Sequence, residues 1–219
     1  MAKIGYINNF LNQEEINWFI WYWSQLPTRA NNGQREYSLT HYDQKFFSRI
    51  RDLLSQKIKK HFSNEEITTV NLNWDYKPGG VHSDGYLTHD KHDKIAKTYL
   101  IPIVMDHENY HTLLFDKASK KAVTLNRELG LGNDGIVTYE QVDRNYFETL
   151  GDTPFNKEIY NQYLSHLDYH NLRGLSTVEI MTWNLGRAIY WPREQLHCSA
   201  DFVHNSNRSS LLIVTRYVE

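Results

Sequence analysis

One cysteine, Cys198, is all that the 219 residues contain. That excludes an internal disulfide framework and suits a reducing compartment such as the cytoplasm. Long apolar runs are missing as well. No stretch approaches the roughly 18 apolar residues of a membrane-spanning helix, and Met1–Tyr6 lacks the apolar run of a secretory signal. The densest aromatic segment, Trp18 to Trp23, is bounded closely by Asn17 and Ser24. Charge of one sign is also scarce: 24 basic against 26 acidic residues leave a net charge of −2. Nothing in that balance favours nucleic acid as a partner. At 40% hydrophobic and 23% charged, the composition is that of an ordinary soluble domain, here one domain over residues 1–219.

Helical texture comes first. Asn12 and Glu15 form an Asn-x-x-Glu start, and Pro27 closes a helix expected over 12–26. Its aromatic cluster is expected to pack in the core. Residues 28–38 read as a polar loop. A second helix is expected over 43–62, where Phe46, Phe47, Ile50, Leu53, Leu54, Ile58 and Phe62 recur at helical spacing. Strand texture follows at 67–76, 97–105 and 111–115, and again at 177–181, 188–191, 197–202 and 209–218. Between them, 116–175 is polar, loop-rich and helical around 155–168. Helices first and then many short strands imply a mainly β sandwich or barrel with helical cover.

Three His-x-Asp pairs occur: His41/Asp43, His82/Asp84 and His166/Asp168. Asp43 stands where it would start a helix. His166 and Asp168 fall in an amphipathic helical pattern, where positions two apart diverge by about 200°. His82 and Asp84 follow a strand and the break Lys77-Pro-Gly-Gly80. In extended chain, positions two apart share a face and can reach one ion. The 113 residues from Asp84 to His197 leave room for further strands and an insertion.

His197 would be carried inward by a strand, with Cys198 pointing to the opposite face. The turn Asn205-Ser-Asn207 then precedes Arg208, eleven positions after His197, which opens the last strand. On that strand Arg208, Ser210, Leu212 and Val214 share one face. Two imidazoles and a carboxylate can hold one face of Fe(II) and leave the other open. An arginine fork matches a carboxylate with two parallel hydrogen bonds.

His82-x-Asp84, His197 and Arg208-x-Ser210, in this order and spacing, resemble the 2-oxoglutarate- and Fe(II)-dependent oxygenases, in particular the prolyl-hydroxylase-like members. The resemblance covers about 66–115 and 176–219. It implies a double-stranded β-helix (jelly-roll) core, with residues 1–65 as helical support packed on the major sheet. It also implies that 116–175 is an insertion that serves as a lid. His82, Asp84 and His197 would be metal ligands. Arg208 and Ser210, with Tyr99 at the start of a strand, would contact 2-oxoglutarate. The implied reaction consumes O2 and hydroxylates a C–H bond of a peptide side chain or small molecule, with succinate and CO2 released. Ascorbate would be a supporting reductant.

A second class is a jelly-roll protein that binds metal, or serves interaction, without catalysis. Arg208 discriminates, since a pure metal binder needs no cationic anchor beside the metal. Gly130-Leu-Gly132-Asn-Asp-Gly135 fits a dinucleotide-loop pattern only on paper, without the flanking strand and helix such a loop needs. His89, His92, His107 and His111 read as surface and strand-edge residues.

Overall fold

The computed structural model describes residues 3–25, 34–38, 44–75, 78–84, 95–120, 122–125, 149–202 and 208–218. Helix α1 (Gln13–Gln25) begins at the expected reciprocal cap. The Glu15 N–H donates to Asn12 Oδ1 at 2.9 Å and the Asn12 N–H donates to Glu15 Oε2 at 2.8 Å. The helix buries Ile16, Phe19 and Tyr22. Its aromatic cluster is core only in part, because Trp18 and Trp21 are exposed. Helix α2 (Gln44–Lys59) buries Phe47, Ile50, Leu54 and Ile58, four of the positions its period marks. The His41/Asp43 pair lies outside the described residues.

The described strands are β1 (Gly5–Ile7), β2 (Gln34–Ser38), β3 (Glu65–Asp75), β4 (His82–Asp84), β5 (Ile95–Val104), β6 (His111–Ala118), β7 (Ala122–Thr124), β8 (Thr177–Thr182), β9 (Ala188–Pro192), β10 (Gln195–Ser199) and β11 (Ser209–Tyr217). They form a major sheet ordered β1-β9-β5-β11-β3-β2 and a minor sheet ordered β7-β4-β10-β6-β8, with every pairing antiparallel. The fold is thus the expected mainly β jelly roll with helical cover. Two local expectations need correction. Within the presumed loop 28–38, residues 34–38 form β2, an edge strand whose polar residues carry no alternation and whose conformation comes from pairing with β3. The insertion does not begin at 116 either, because β6 runs on to Ala118 and β7 pairs with β4.

Apolar residues sort into three layers. Ile16, Phe19, Ile50 and Leu54 of the helices pack on Val70, Leu72, Tyr99, Ile101, Leu211 and Ile213, the outer face of the major sheet. A second layer lies outside the minor sheet and includes Leu113, Phe115, Leu196 and Cys198. The third joins inward side chains of both sheets: Leu114 and Met181 from one, Ile189 and Trp191 from the other, with Tyr110, Trp183 and Phe202. That third layer fills the jelly-roll interior.

Residues 149–175 contribute Leu150, Phe155, Leu164, Leu172 and Leu175 to the layer outside the minor sheet. They cover its outer face, so this part of the expected lid is instead a buttress. Residues 126–148 of that expectation, with the Gly130–Gly135 pattern, lie outside the described residues. Helix α3 (Lys157–Tyr163) starts where Asn156 Oδ1 accepts from the N–H groups of Glu158 and Ile159. It ends before His166, so His166 and Asp168 do not share a helix. Asp168 instead caps the 3-10 turn Tyr169–Leu172, accepting from the His170 N–H. No described helix is long and apolar enough to cross a membrane.

Candidate metal centre

Strand β4 is three residues long, and its start is pinned from both sides. The Gly79 N–H donates to Ser199 Oγ at 2.6 Å, on the strand that carries His197. The His82 Nδ1–H donates to the Gly80 carbonyl at 2.8 Å, and the His197 Nδ1–H donates to the Gln195 carbonyl at 2.9 Å. Because a carbonyl only accepts, Nδ1 is the donor in both rings, and the Nε2 of each turns to the same place. A metal-binding histidine needs this arrangement.

Antiparallel pairing of β4 with β10 sets His82 opposite His197, with ring centroids 4.3 Å apart. Asp84, two positions along, adds a carboxylate. Its Oδ1 is 3.8 Å from His82 Nε2 and its Oδ2 is 3.5 Å from His197 Nε2. One ligand atom from each residue lies within 4.8 Å of the others. The Thr98 hydroxyl on β5 donates to Asp84 Oδ2 at 2.9 Å, and Arg193 Nε donates to the Asp84 carbonyl.

The charge state suits a divalent cation. Burial raises the Asp84 carboxyl, but His197, His82, the Thr98 hydroxyl and Arg193 together outweigh it and hold the group below the usual carboxylate value. Burial, with His82 adding to it, pulls His197 down to about 4 against the opposing pull of Asp84 and the Gln195 carbonyl. At neutral pH Asp84 is therefore a carboxylate and His197 a neutral imidazole. Such a set fits a first-row divalent ion such as Fe(II) on one face. Cys198, next in sequence to His197, faces the outer layer, and burial raises its thiol, so it offers no ligand.

Arg208 is 2% exposed just ahead of β11. Its guanidinium carbon lies 3.8 Å from the Phe202 ring, 4.7 Å from Trp183 and 5.3 Å from Tyr110. All three rings belong to the interior layer, as does Trp191, whose ring is 4.8 Å from that of His197. The same aromatic layer therefore borders the metal ligands at one place and Arg208 at another. Ser210 is buried, and strand alternation puts it on the inward face, because Leu211 and Ile213 face the helices.

Tyr99 is not brought to this site. It shares parity on β5 with Ile101 and Ile103, all three packed under the helices, and its hydroxyl donates to Glu65 Oε2 at 2.6 Å. The inward neighbour is Thr98, which the sequence reading passed over together with Arg193. Alternation could have found Thr98: once Ile101 is assigned outward, Thr98 and Leu100 must face in.

No family model matches the sequence, and no curated protein does. Solved structures do match. SnoN, described as a non-heme alpha ketoglutarate dependent epimerase from nogalamycin biosynthesis, aligns at 8% identity with a TM-score of 0.55 in its complex with Fe3+, alpha ketoglutarate and nogalamycin RO. That alignment covers 99% of this chain and 79% of SnoN. The carbocyclase SnoK of the same biosynthesis aligns at 8% identity and TM-score 0.53, covering 99% and 80%. HygX from Streptomyces hygroscopicus, with nickel, 2-oxoglutarate and hygromycin B bound, aligns at 12% identity and TM-score 0.54, covering 99% and 84%. At such identities the likeness speaks for architecture. The chain shares the jelly-roll fold of these solved structures.

Proposed function

We propose that this chain is an Fe(II)- and 2-oxoglutarate-dependent oxygenase that hydroxylates an unactivated C–H of a peptide side chain or small molecule. The observation that carries this reading is the convergence of two imidazole Nε2 atoms and one carboxylate on the interior that also encloses Arg208. His82 Nε2, Asp84 and His197 Nε2 would hold the iron. Arg208 would hold the far carboxylate of 2-oxoglutarate, with Ser210 beside it on the inward face. When bound, iron and 2-oxoglutarate supply the oxidising chemistry that consumes O2, releases succinate and CO2 and oxidises a C–H bond. The residues around them bind, orient and keep water out. Phe202, Trp183 and Tyr110 shield the guanidinium from solvent, which strengthens its attraction for a carboxylate.

The test is succinate formation by purified protein with Fe(II), ascorbate and 2-oxoglutarate under air. The wild type is expected to form succinate and His82→Ala none. Arg208→Ala should raise the 2-oxoglutarate concentration needed for half-maximal rate at least tenfold, with Arg208→Lys failing to restore it. Metal binding without succinate from any substrate would favour the non-catalytic reading. Because proteins of this fold include an epimerase and a carbocyclase, identification of the substrate's product follows the succinate assay.

A further inference from the structure

Trp191 is 1% exposed, and its indole Nε1–H is buried with no hydrogen-bond acceptor among the described residues. Leaving such a donor unsatisfied costs about 1–3 kcal/mol, and an orphaned group of this kind calls for a reason. The ring stands on β9, directly across from Thr98 in the β5–β9 register, and Thr98 is the residue that grips Asp84. On its other side it lies 4.8 Å from the His197 ring. Trp183 nearby differs: its Nε1–H is satisfied, donating to Thr112 Oγ1 at 2.9 Å. Two tryptophans thus share one interior layer, and the one against the metal ligands has no acceptor among the described residues.

We infer that Trp191 is a ligand-binding residue whose Nε1–H donates to an oxygen of 2-oxoglutarate held between the metal ligands and Arg208. The inference rests on the proposed function. An anionic oxygen is the acceptor this place calls for. The surrounding layer is largely aromatic and aliphatic, the one carboxylate beside it, Asp84, already accepts from Thr98, and the same layer borders the guanidinium of Arg208. A hydrogen bond from a buried neutral donor to a charged acceptor is among the stronger kinds.

The experiment uses the full chain, labelled with 15N at its tryptophans and loaded with Zn(II) as a diamagnetic replacement for iron. The Nε1–H resonance of Trp191, assigned by its loss in Trp191→Phe, is followed as 2-oxoglutarate is added. Binding should move it downfield and slow its exchange with solvent, while the Trp183 resonance keeps its exchange rate. Calorimetry on Zn(II)-loaded Trp191→Phe should show 2-oxoglutarate bound roughly tenfold more weakly than by the wild type. A downfield, exchange-protected resonance together with weaker binding supports the assignment. An unmoved or unprotected resonance overturns it, with Trp191→Tyr supplying the assignment if Trp191→Phe does not fold, and so does unchanged affinity in a folded variant. If 2-oxoglutarate binds in those failing cases, the proposed function survives without this residue. If the wild type binds none, both fall together.

Discussion

His82 and His197 face each other across the β4–β10 pair, and each is turned by a hydrogen bond from its Nδ1 to a carbonyl two residues earlier in the chain. The pair is built twice by the same local device, so neither ring depends on the other for its orientation. Replacing either by Ala is expected to abolish high-affinity binding of Mn(II), measured by electron paramagnetic resonance of the free ion. The two should differ in stability. His82 leaves 39% of its side chain exposed and His197 only 7%. His82→Ala should unfold near the wild-type urea midpoint, whereas His197→Ala opens a void beside Trp191 and should lose about 2 kcal/mol or more. Mn(II) bound equally by either variant and the wild type would remove the metal centre altogether.

Thr98 gives a subtler prediction. Its hydroxyl occupies one oxygen of Asp84, which fixes the rotation of the carboxylate between the two imidazoles. Partners of this kind are typically worth 10–100-fold in metal affinity. Thr98→Val keeps the shape and removes the donor, so Mn(II) affinity should fall within that range. Thr98→Ser should keep most of it. Equal affinity in all three proteins would mean that Asp84 is held by Arg193 and its own strand alone.

The histidine pKa carries a pH dependence for the metal-free protein. His197 is depressed from 6.5 to about 4 in the fold, chiefly by burial. As pH falls from 6.5 towards 4, the unfolded chain takes up a proton that the folded one refuses, so stability falls with pH in that window. Asp84, depressed as well, adds a loss with the same sign at lower pH, below its unfolded value of 3.8. The His197 contribution is on the order of 3 kcal/mol across the window. Urea midpoints measured in the presence of a chelator should decline between pH 7 and 4, and His197→Gln should flatten that decline. A parallel decline in the variant would assign the loss to other groups.

The main lines of this fold were legible because alternation and helical period are strong in the elements that bury apolar residues. The strands holding Val70, Leu72, Ile101, Leu211 and Ile213, and the helix holding Ile50, Leu54 and Ile58, all show their buried side in the sequence. The candidate ligands were legible for a different reason: His82 and Asp84 sit two apart after a Gly-Gly break, and the chain between Asp84 and His197 is long enough to close a jelly roll. What could not be read was anything set by a partner strand. β2 has no apolar signature and β7 is only three residues long, and pairing with β3 and β4 makes them strands. Tyr99 was misplaced by one position, and one position in a strand is the difference between the two faces of the sheet.

That one-residue difference has a physical consequence of its own. Tyr99 belongs to a buried polar knot on the helix side of the major sheet, where its hydroxyl and that of Thr215 donate to Glu65 Oε2 at 2.6 and 2.8 Å. Glu65 pairs there with Lys97, whose Nζ sits 3.6 Å from the centre of the Phe62 ring. The side chains of the ion pair are 4% and 0% exposed, so each charge depends on the other for compensation. Removing one partner of such a pair typically costs about 3–5 kcal/mol, whereas replacing both with apolar groups can be neutral. Lys97→Met should therefore be strongly destabilised in urea unfolding. The double variant Glu65→Leu with Lys97→Met should recover part of the loss, limited by the Tyr99 hydroxyl then left without its acceptor, while Thr215 keeps the Lys97 carbonyl at 3.3 Å. Neither change should alter Mn(II) affinity in the folded protein, because this knot faces the helices and the metal ligands face the interior. A loss of metal affinity in the folded double variant would mean that the two faces of β5 are coupled, and that Lys97 helps hold Thr98 against Asp84.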